Sequence, residues 1–271
     1  MTVGRNIFVI TPVHGRHEHL RRLRAGLAQS TMAPTTHVVV AMADAEAGAV
    51  AAETPGDLQL VELPCDSHAL PLAKARNLGV RIVGNRPDSS PDDLLIFLDV
   101  DCIPVPDLIS AYAEAAEQRP DDLLCGPVAY LPDMEIIDYS PAHLAGIAQP
   151  HAARPAPEPG QVCTDGDHSL FWSLSFALRR EVWEKIGGFD EIFVGYGAED
   201  TDFARRAAQL GIGLSWVGAA RAFHQYHPVS RPPVEHLEEI LANGRRFASK
   251  WGAWPMEGWL SEFESTGLIW R

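Results

Sequence analysis

The chain has 271 residues and is 46% hydrophobic, enough to build one large α/β domain or two small ones. A formal net charge of −14 argues against nucleic acid as a partner, because phosphate backbones are held by clustered Lys and Arg, and it gives no pull toward an anionic membrane. Cys65, Cys102, Cys125 and Cys163 form no Cys-x-x-Cys pair, which leaves neither a zinc knuckle nor a redox motif.

In chain order, Asn6 to Thr11 reads as a buried strand, Pro12 to Gly15 as a turn and His17 to Gln29 as an amphipathic helix with Leu20, Leu23 and Leu27 inward. His37 to Met42 is a second, β-branched strand ending near Asp44, and Leu58 to Leu63 a third, with Ala45 to Pro55 a small-residue loop between them. Leu72 to Val83 has helical spacing and carries Lys74, Arg76 and Asn77 in its first turns. Leu94 to Leu98 is the most strand-like segment and runs directly into Asp99-Val100-Asp101. Ligands in open α/β sheets bind beyond the carboxyl ends of the strands, which is where this acidic pair stands.

From Tyr130 to Asp167 the pattern dissolves into Pro, His, Ala and Gly, which predicts a long irregular excursion with short helices. Regular structure resumes at Ser169 to Leu178, followed by a helix at Arg180 to Ile186 and the turn Gly187-Gly188. Glu199 to Leu210 reads as a helix opening with acids, which suits its dipole, and Ser215 to Val217 as a short strand. Val234 to Lys250 is a last amphipathic helix, and the Trp-rich tail from Trp251 to Trp270 packs back on the body. No stretch is apolar over the roughly 18 residues of a membrane span, and MTVGRNIFVITPVHGR lacks a signal-peptide h-region, so a cytoplasmic location is expected.

Three segments carry chemistry. Asp99 and Asp101 offer the oxygen ligands that hard divalent cations prefer. The run GGFDE, then GYGAEDTD, sets an aromatic beside glycines that permit close approach and acids at a helix start that can act as a general base; a helix cap is the plain structural alternative. FHQYHP holds His224 and His227, either of which can complete a metal site with Asp101, although isolated histidines are more often structural.

The ordered set TPVHGR, LAKARNLG, FLDVDC, SFALRREVWEKIGGFDE, GYGAEDTDF and FHQYHP resembles the GT-A glycosyltransferases over residues 5–230. It is closest to family 2 enzymes whose C-terminal catalytic segment is like that of β-1,4-galactosyltransferases and polypeptide N-acetylgalactosaminyltransferases. The resemblance implies an α/β GT-A fold with a single mixed, mostly parallel sheet flanked by helices. Its catalytic domain would span 1–230, with a nucleotide-binding half at 1–101 and an acceptor half at 102–230, and 231–271 would be a helical appendage packed on it. Thr11, Pro12, His14, Asp44, Arg76 and Asn77 would hold the base and ribose, and Asp99 the ribose or donor sugar. Asp101 and His224, with His227 as a substitute or support, would bind Mn²⁺ or Mg²⁺. Tyr196 takes the place usually held by a stacking tryptophan, Asp200 matches the general base, and Glu199 would hold an acceptor hydroxyl or orient Asp200.

The implied reaction is an inverting, metal-dependent transfer from a nucleotide-diphosphate sugar, a UDP-sugar being favoured, to an acceptor hydroxyl. GYGAED departs from the Trp-Gly-Gly pattern of galactosyltransferases, so the donor sugar does not carry over. PVSRPP, after His227, is expected to be a mobile lid over the donor. The excursion and the Trp-rich tail are expected to line the acceptor side. Two alternatives stand beside this reading: a catalytically idle sugar-nucleotide-binding or scaffold protein on the same fold, and a sugar nucleotidyltransferase. The latter needs a glycine-rich basic phosphate loop, for which only Gly15 and Arg16 are present.

Overall fold

The apolar runs read from the sequence form the middle of a large mixed sheet in the computed structural model, which describes residues 5–270. The first four residues of the N-terminal stretch tested for a leader lie outside the described residues. The chain opens with β1 (Ile7–Val13), α1 (His17–Ala28), β2 (Thr36–Met42), α2 (Ala47–Ala52), β3 (Leu58–Leu63) and α3 (Leu72–Gly84). β4 (Leu94–Leu98) and β5 (Cys102–Pro104) flank the Asp-x-Asp, followed by α4 (Leu108–Gln118), β6 (Leu123–Cys125) and β7 (Val128–Tyr130). The excursion contains α5 (Pro141–Ile147), β8 (Gln149–Pro150) and β9 (Val162–Cys163). Then come β10 (Ser175–Arg179), α6 (Arg180–Ile186), α7 (Glu199–Gln209), β11 (Leu214–Val217) and β12 (Ala222–His224), and finally α8 (Leu237–Trp251) and α9 (Glu257–Ser265).

Eight strands make the main sheet in the order β3-β2-β1-β4-β10-β6-β11-β9. β1, β2, β3 and β4 run parallel, and β10 inserts antiparallel between β4 and β6. Alternation along each strand fills both faces, as expected of a sheet covered by helices on two sides. Phe8, Ile10, Val38, Val40, Leu95 and Phe97 join the core under α3, α6 and α7. Val9, Ile96 and Leu98 face the opposite core with Leu23 of α1 and Ile109 and Tyr112 of α4. Phe97 stacks on Phe176 at 4.5 Å and on Trp183 at 4.9 Å, which ties β4, β10 and α6 together at the strand that feeds the acidic pair.

A second sheet, β5-β12-β7-β8, was not legible in the sequence. Its strands have two or three residues, too few for periodicity to register. Three local expectations are corrected. Pro12 lies in β1, not in a turn, because its register partner is Val40 and β4 has already ended its pairing at Ile10↔Phe97, so the missing N–H costs no ladder bond on that side. Ala45 to Pro55 contains α2, which buries Ala47, Val50 and Ala51; alanines that look neutral in a sequence are strong helix formers once one face is covered. Val234 to His236 forms a 3₁₀ turn, and the α-helix proper starts at Leu237. Among the described residues no helix is long and apolar enough to cross a membrane.

Candidate active site

Strand register assembles the site. β4 carries the chain to Asp99 and Asp101, and β5 returns antiparallel to β12 with Cys102 opposite His224. Gln225 N–H donates to the Asp101 carbonyl at 2.7 Å, locking that pairing. Asp101, His224 and His227 each offer one ligand atom, all within 4.8 Å of one another. One carboxylate and two imidazoles make a mixed oxygen and nitrogen donor set suited to a first-row divalent cation. The Nδ1–H of His227 donates to the Pro228 carbonyl at 3.3 Å, which leaves its Nε2 lone pair facing Asp101 Oδ2 at 3.8 Å. Burial pushes His224 down to about 4, so its imidazole is neutral and able to ligate at neutral pH.

Two residues at this centre were not read from the sequence as partners of the acidic pair. Arg16, in a left-handed conformation with φ 50° before α1, pairs with Asp101 Oδ2, and His19 Nδ1 donates to Asp101 Oδ1 at 2.5 Å. Burial alone would raise the Asp101 carboxyl; the His19 hydrogen bond and the Arg16 charge hold it below its ordinary value. Both stand at the start of α1, Arg16 as its left-handed N-cap residue, and no local pattern in the sequence directs them to Asp101.

A buried guanidinium links the other acids. Arg76 on α3 donates to Asp99 Oδ1 at 3.0 Å and to Glu199 Oε1 at 3.3 Å. Burial raises Asp99 against the opposing pull of Arg76. Glu199 is raised by burial and by the neighbouring Asp200 charge, with Arg76 opposing, and its Oε2 has no hydrogen-bond partner among the described residues. Asp200 is half-buried and also raised by burial; its Oδ1 accepts from the N–H and hydroxyl of Thr201 at 2.6 and 3.3 Å. Gly195 and Gly197, at φ 79° and 91°, deliver the chain into α7 through left-handed positions that a side chain would strain.

The structure disperses the remaining predicted residues. Thr11 Oγ accepts from His37 Nε2 at 3.0 Å in the interior, and Pro12 is buried beside it in β1. Asn77 uses both amide atoms on the main chain of Phe189, at 2.9 Å each, so it staples α3 to the GGFDE turn. His14 Nδ1 donates to the Met42 carbonyl at 2.7 Å. Asp44 accepts from Gly15 N–H at 2.8 Å and from His17 at 3.0 Å, and these bonds lower its carboxyl despite burial. The Tyr196 ring stacks on His236 at 4.5 Å and leans on Trp259 at 5.7 Å, while burial pushes its phenol up to about 12.

Residues 165–228 match the family described as the N-terminal domain of galactosyltransferase, a segment that includes Glu199, Asp200, His224 and His227. No curated protein matches the chain in sequence. Among solved structures, GalNAc-T7 with UDP, GalNAc and Mn²⁺ superposes with a TM-score of 0.61 at 14% identity, over 92% of this chain and 51% of that one. S. aureus TarS 1-349 superposes at 0.59 and 13% identity, over 90% of this chain and 65% of that one. The chain thus spans about half the length of the first and just under two thirds of the second. The superpositions show that the chain shares the GT-A fold of these structures, and residues 165–228 resemble the galactosyltransferase domain.

Proposed function

We propose that this protein is a metal-dependent, inverting glycosyltransferase that moves a sugar from a nucleotide-diphosphate donor, a UDP-sugar by preference, to an acceptor hydroxyl. The observation that carries the reading is the meeting of Asp101, His224 and His227 beside Asp99, with Arg76 joining Asp99 to the Glu199-Asp200 pair. The donor set fits Mn²⁺ better than Mg²⁺, which prefers oxygen ligands throughout, and GalNAc-T7 was crystallised with UDP and Mn²⁺. A bound divalent ion would neutralise the diphosphate and so ease its departure.

The chain's own residues would do the rest. Arg16, whose side chain is 40% exposed, can leave Asp101 and turn its guanidinium to the diphosphate, which would free the carboxylate to hold the ion. Arg76 holds Asp99 and Glu199 in fixed rotamers, with Asp99 toward the ribose or donor sugar. Asp200 deprotonates the acceptor hydroxyl as it attacks the anomeric carbon from the face opposite the leaving diphosphate, so the anomeric configuration inverts. The partnerless Glu199 Oε2 would accept a hydrogen bond from an acceptor hydroxyl. The segment from Pro228 to Pro233, with Val229 exposed, would close over the donor.

The test is calorimetric titration with UDP, GDP and TDP, each with Mn²⁺ and with EDTA. Binding of one nucleotide that depends on the metal and is lost in Asp101→Asn supports the site and names the donor class. A folded protein that binds none of them would overturn it.

A further inference from the structure

Arg154 lies in the excursion between β8 and β9 and is only 7% exposed. Its guanidinium sits over the rings of Trp172 and Trp216, at 5.0 and 4.9 Å from their centroids. None of its three side-chain nitrogens has a hydrogen-bond partner among the described residues. Stacking on two indoles offsets part of the cost of desolvating the cation but satisfies none of its five N–H donors. A buried, unpaired guanidinium is expensive to keep, and its natural complement is a planar or tetrahedral oxyanion.

The surroundings say what brings that oxyanion. Edge-to-face contact at 4.7 Å joins Trp172 to His151, whose ring lies 6.0 Å from Tyr130, which in turn stacks at 4.9 Å on the metal-site residue His224. These rings form a partly open strip from the candidate metal centre to Arg154. The ring contacts thus connect the guanidinium to His224 through Trp172, His151 and Tyr130. Arg231, exposed on the segment after His227, adds positive potential at His151 and Tyr130. Arg154 belongs to the largely exposed run 151–161, which is tied to the body by Gly218 N–H on the Gln161 carbonyl and by Arg221 on the Pro157 carbonyl. A ligand reaching the buried donors requires that run to move.

We propose that Arg154 and the ring strip of Tyr130, His151 and Trp172 form a subsite for an anionic acceptor sugar, the guanidinium pairing with its carboxylate or phosphate while the rings take its C–H face. The proposal rests on the glycosyltransferase reading and names the acceptor class that reading leaves open.

The test uses the full chain with UDP and Mn²⁺ present, titrated with methyl β-D-glucuronide, glucose 6-phosphate and methyl β-D-glucoside. At least one anionic sugar is expected to bind about tenfold more tightly than the neutral one, the scale of a charge-assisted hydrogen bond. Preference for the glucuronide assigns a carboxylate, and preference for the phosphate ester a phosphate. In Arg154→Gln the preference should vanish while UDP–Mn²⁺ affinity stays unchanged. Arg154→Lys, which keeps the charge but not the fork, should retain part of it. Trp172→Ala, at a half-buried ring, should weaken anionic and neutral sugars alike and serves where Arg154→Gln does not fold. Equal binding of all three sugars, no binding of either anionic one, or a preference that survives Arg154→Gln overturns the subsite. Loss of UDP–Mn²⁺ binding in the unaltered protein would instead strike the donor-site reading.

Discussion

Glu199 and Asp200 are neighbours at the start of α7, but the protein leaves different atoms free on each. One oxygen of Glu199 is committed to Arg76, whereas Asp200 is tied, among the described residues, to the adjoining Thr201 alone and remains half-exposed, which makes it the freer base. Asp200→Asn is therefore expected to cut turnover by about 10²- to 10⁴-fold, the usual contribution of a general base, while metal-dependent UDP binding persists. Single-turnover assay alongside calorimetry separates the two, and turnover that survives would pass the role to another group. The second expectation at this scale concerns pH. Burial raises the Asp200 carboxyl, and a base works only when ionised, so kcat/KM should fall as pH drops through a midpoint above the ordinary aspartate value of about 4. A pH–rate profile with its acid limb at the ordinary value would contradict the environment described here. Asp99, Asp101, Glu199 and Asp200 were legible in the sequence because each adjoins a recognisable strand end or helix start. Arg16 and His19 were not, since their meaning lies in contact with Asp101, more than 80 residues away.

At the scale of elements, α8 acts as a brace for the loop that leads into α7. Glu239 Oε2 accepts from Tyr196 N–H at 2.7 Å, and the fully buried Asn243 amide donates to the carbonyls of Val194 and Tyr196 at 3.0 and 3.2 Å. A Cβ on Gly195 would come within 2.7 Å of Glu239, so the glycine and the acid fit as a pair. Asn243→Ala leaves two carbonyls without their donor and is expected to cost about 1–3 kcal/mol in urea denaturation. It should also lower kcat more than it changes KM for the donor, because it loosens the residues that set Asp200. An unchanged kcat at that loss of stability would mean that the brace serves the fold alone. The long amphipathic pattern made α8 legible as a helix, but its partner was not, because a loop of glycines and an aromatic has no period. The small sheet was hidden for a related reason: His224 and His227 could be seen as a pair, but their approach to Asp101 depends on the β5–β12 register, which no local pattern records.

Across the whole molecule, the same contacts bear on whether residues 231–271 are an appendage or part of the catalytic body. Phe247 of α8 packs on Phe193 and Ala198, and Ile240, Leu260 and Phe263 gather around Tyr196. Asp202 of α7 is fully buried and holds Arg206 within its own helix, but it also accepts from Trp251 Nε1 at 2.8 Å and from Lys250 Nζ at 2.7 Å. A chain ending at Pro233 would lose both of the latter and strand a buried carboxylate with one partner. Each large apolar side chain withdrawn from such a cluster forfeits about 1.5–3 kcal/mol, against a total stability of about 5–15 kcal/mol for a domain. Four such side chains together with the exposed remainder of their cluster are enough to consume that margin. Residues 1–233 alone are therefore expected to show a collapsed Tm and no metal-dependent UDP binding, read by thermal denaturation and titration on the same sample. A cooperative transition near that of the full chain, with binding intact, would make the C-terminal helices dispensable and leave the α7 loop to hold itself.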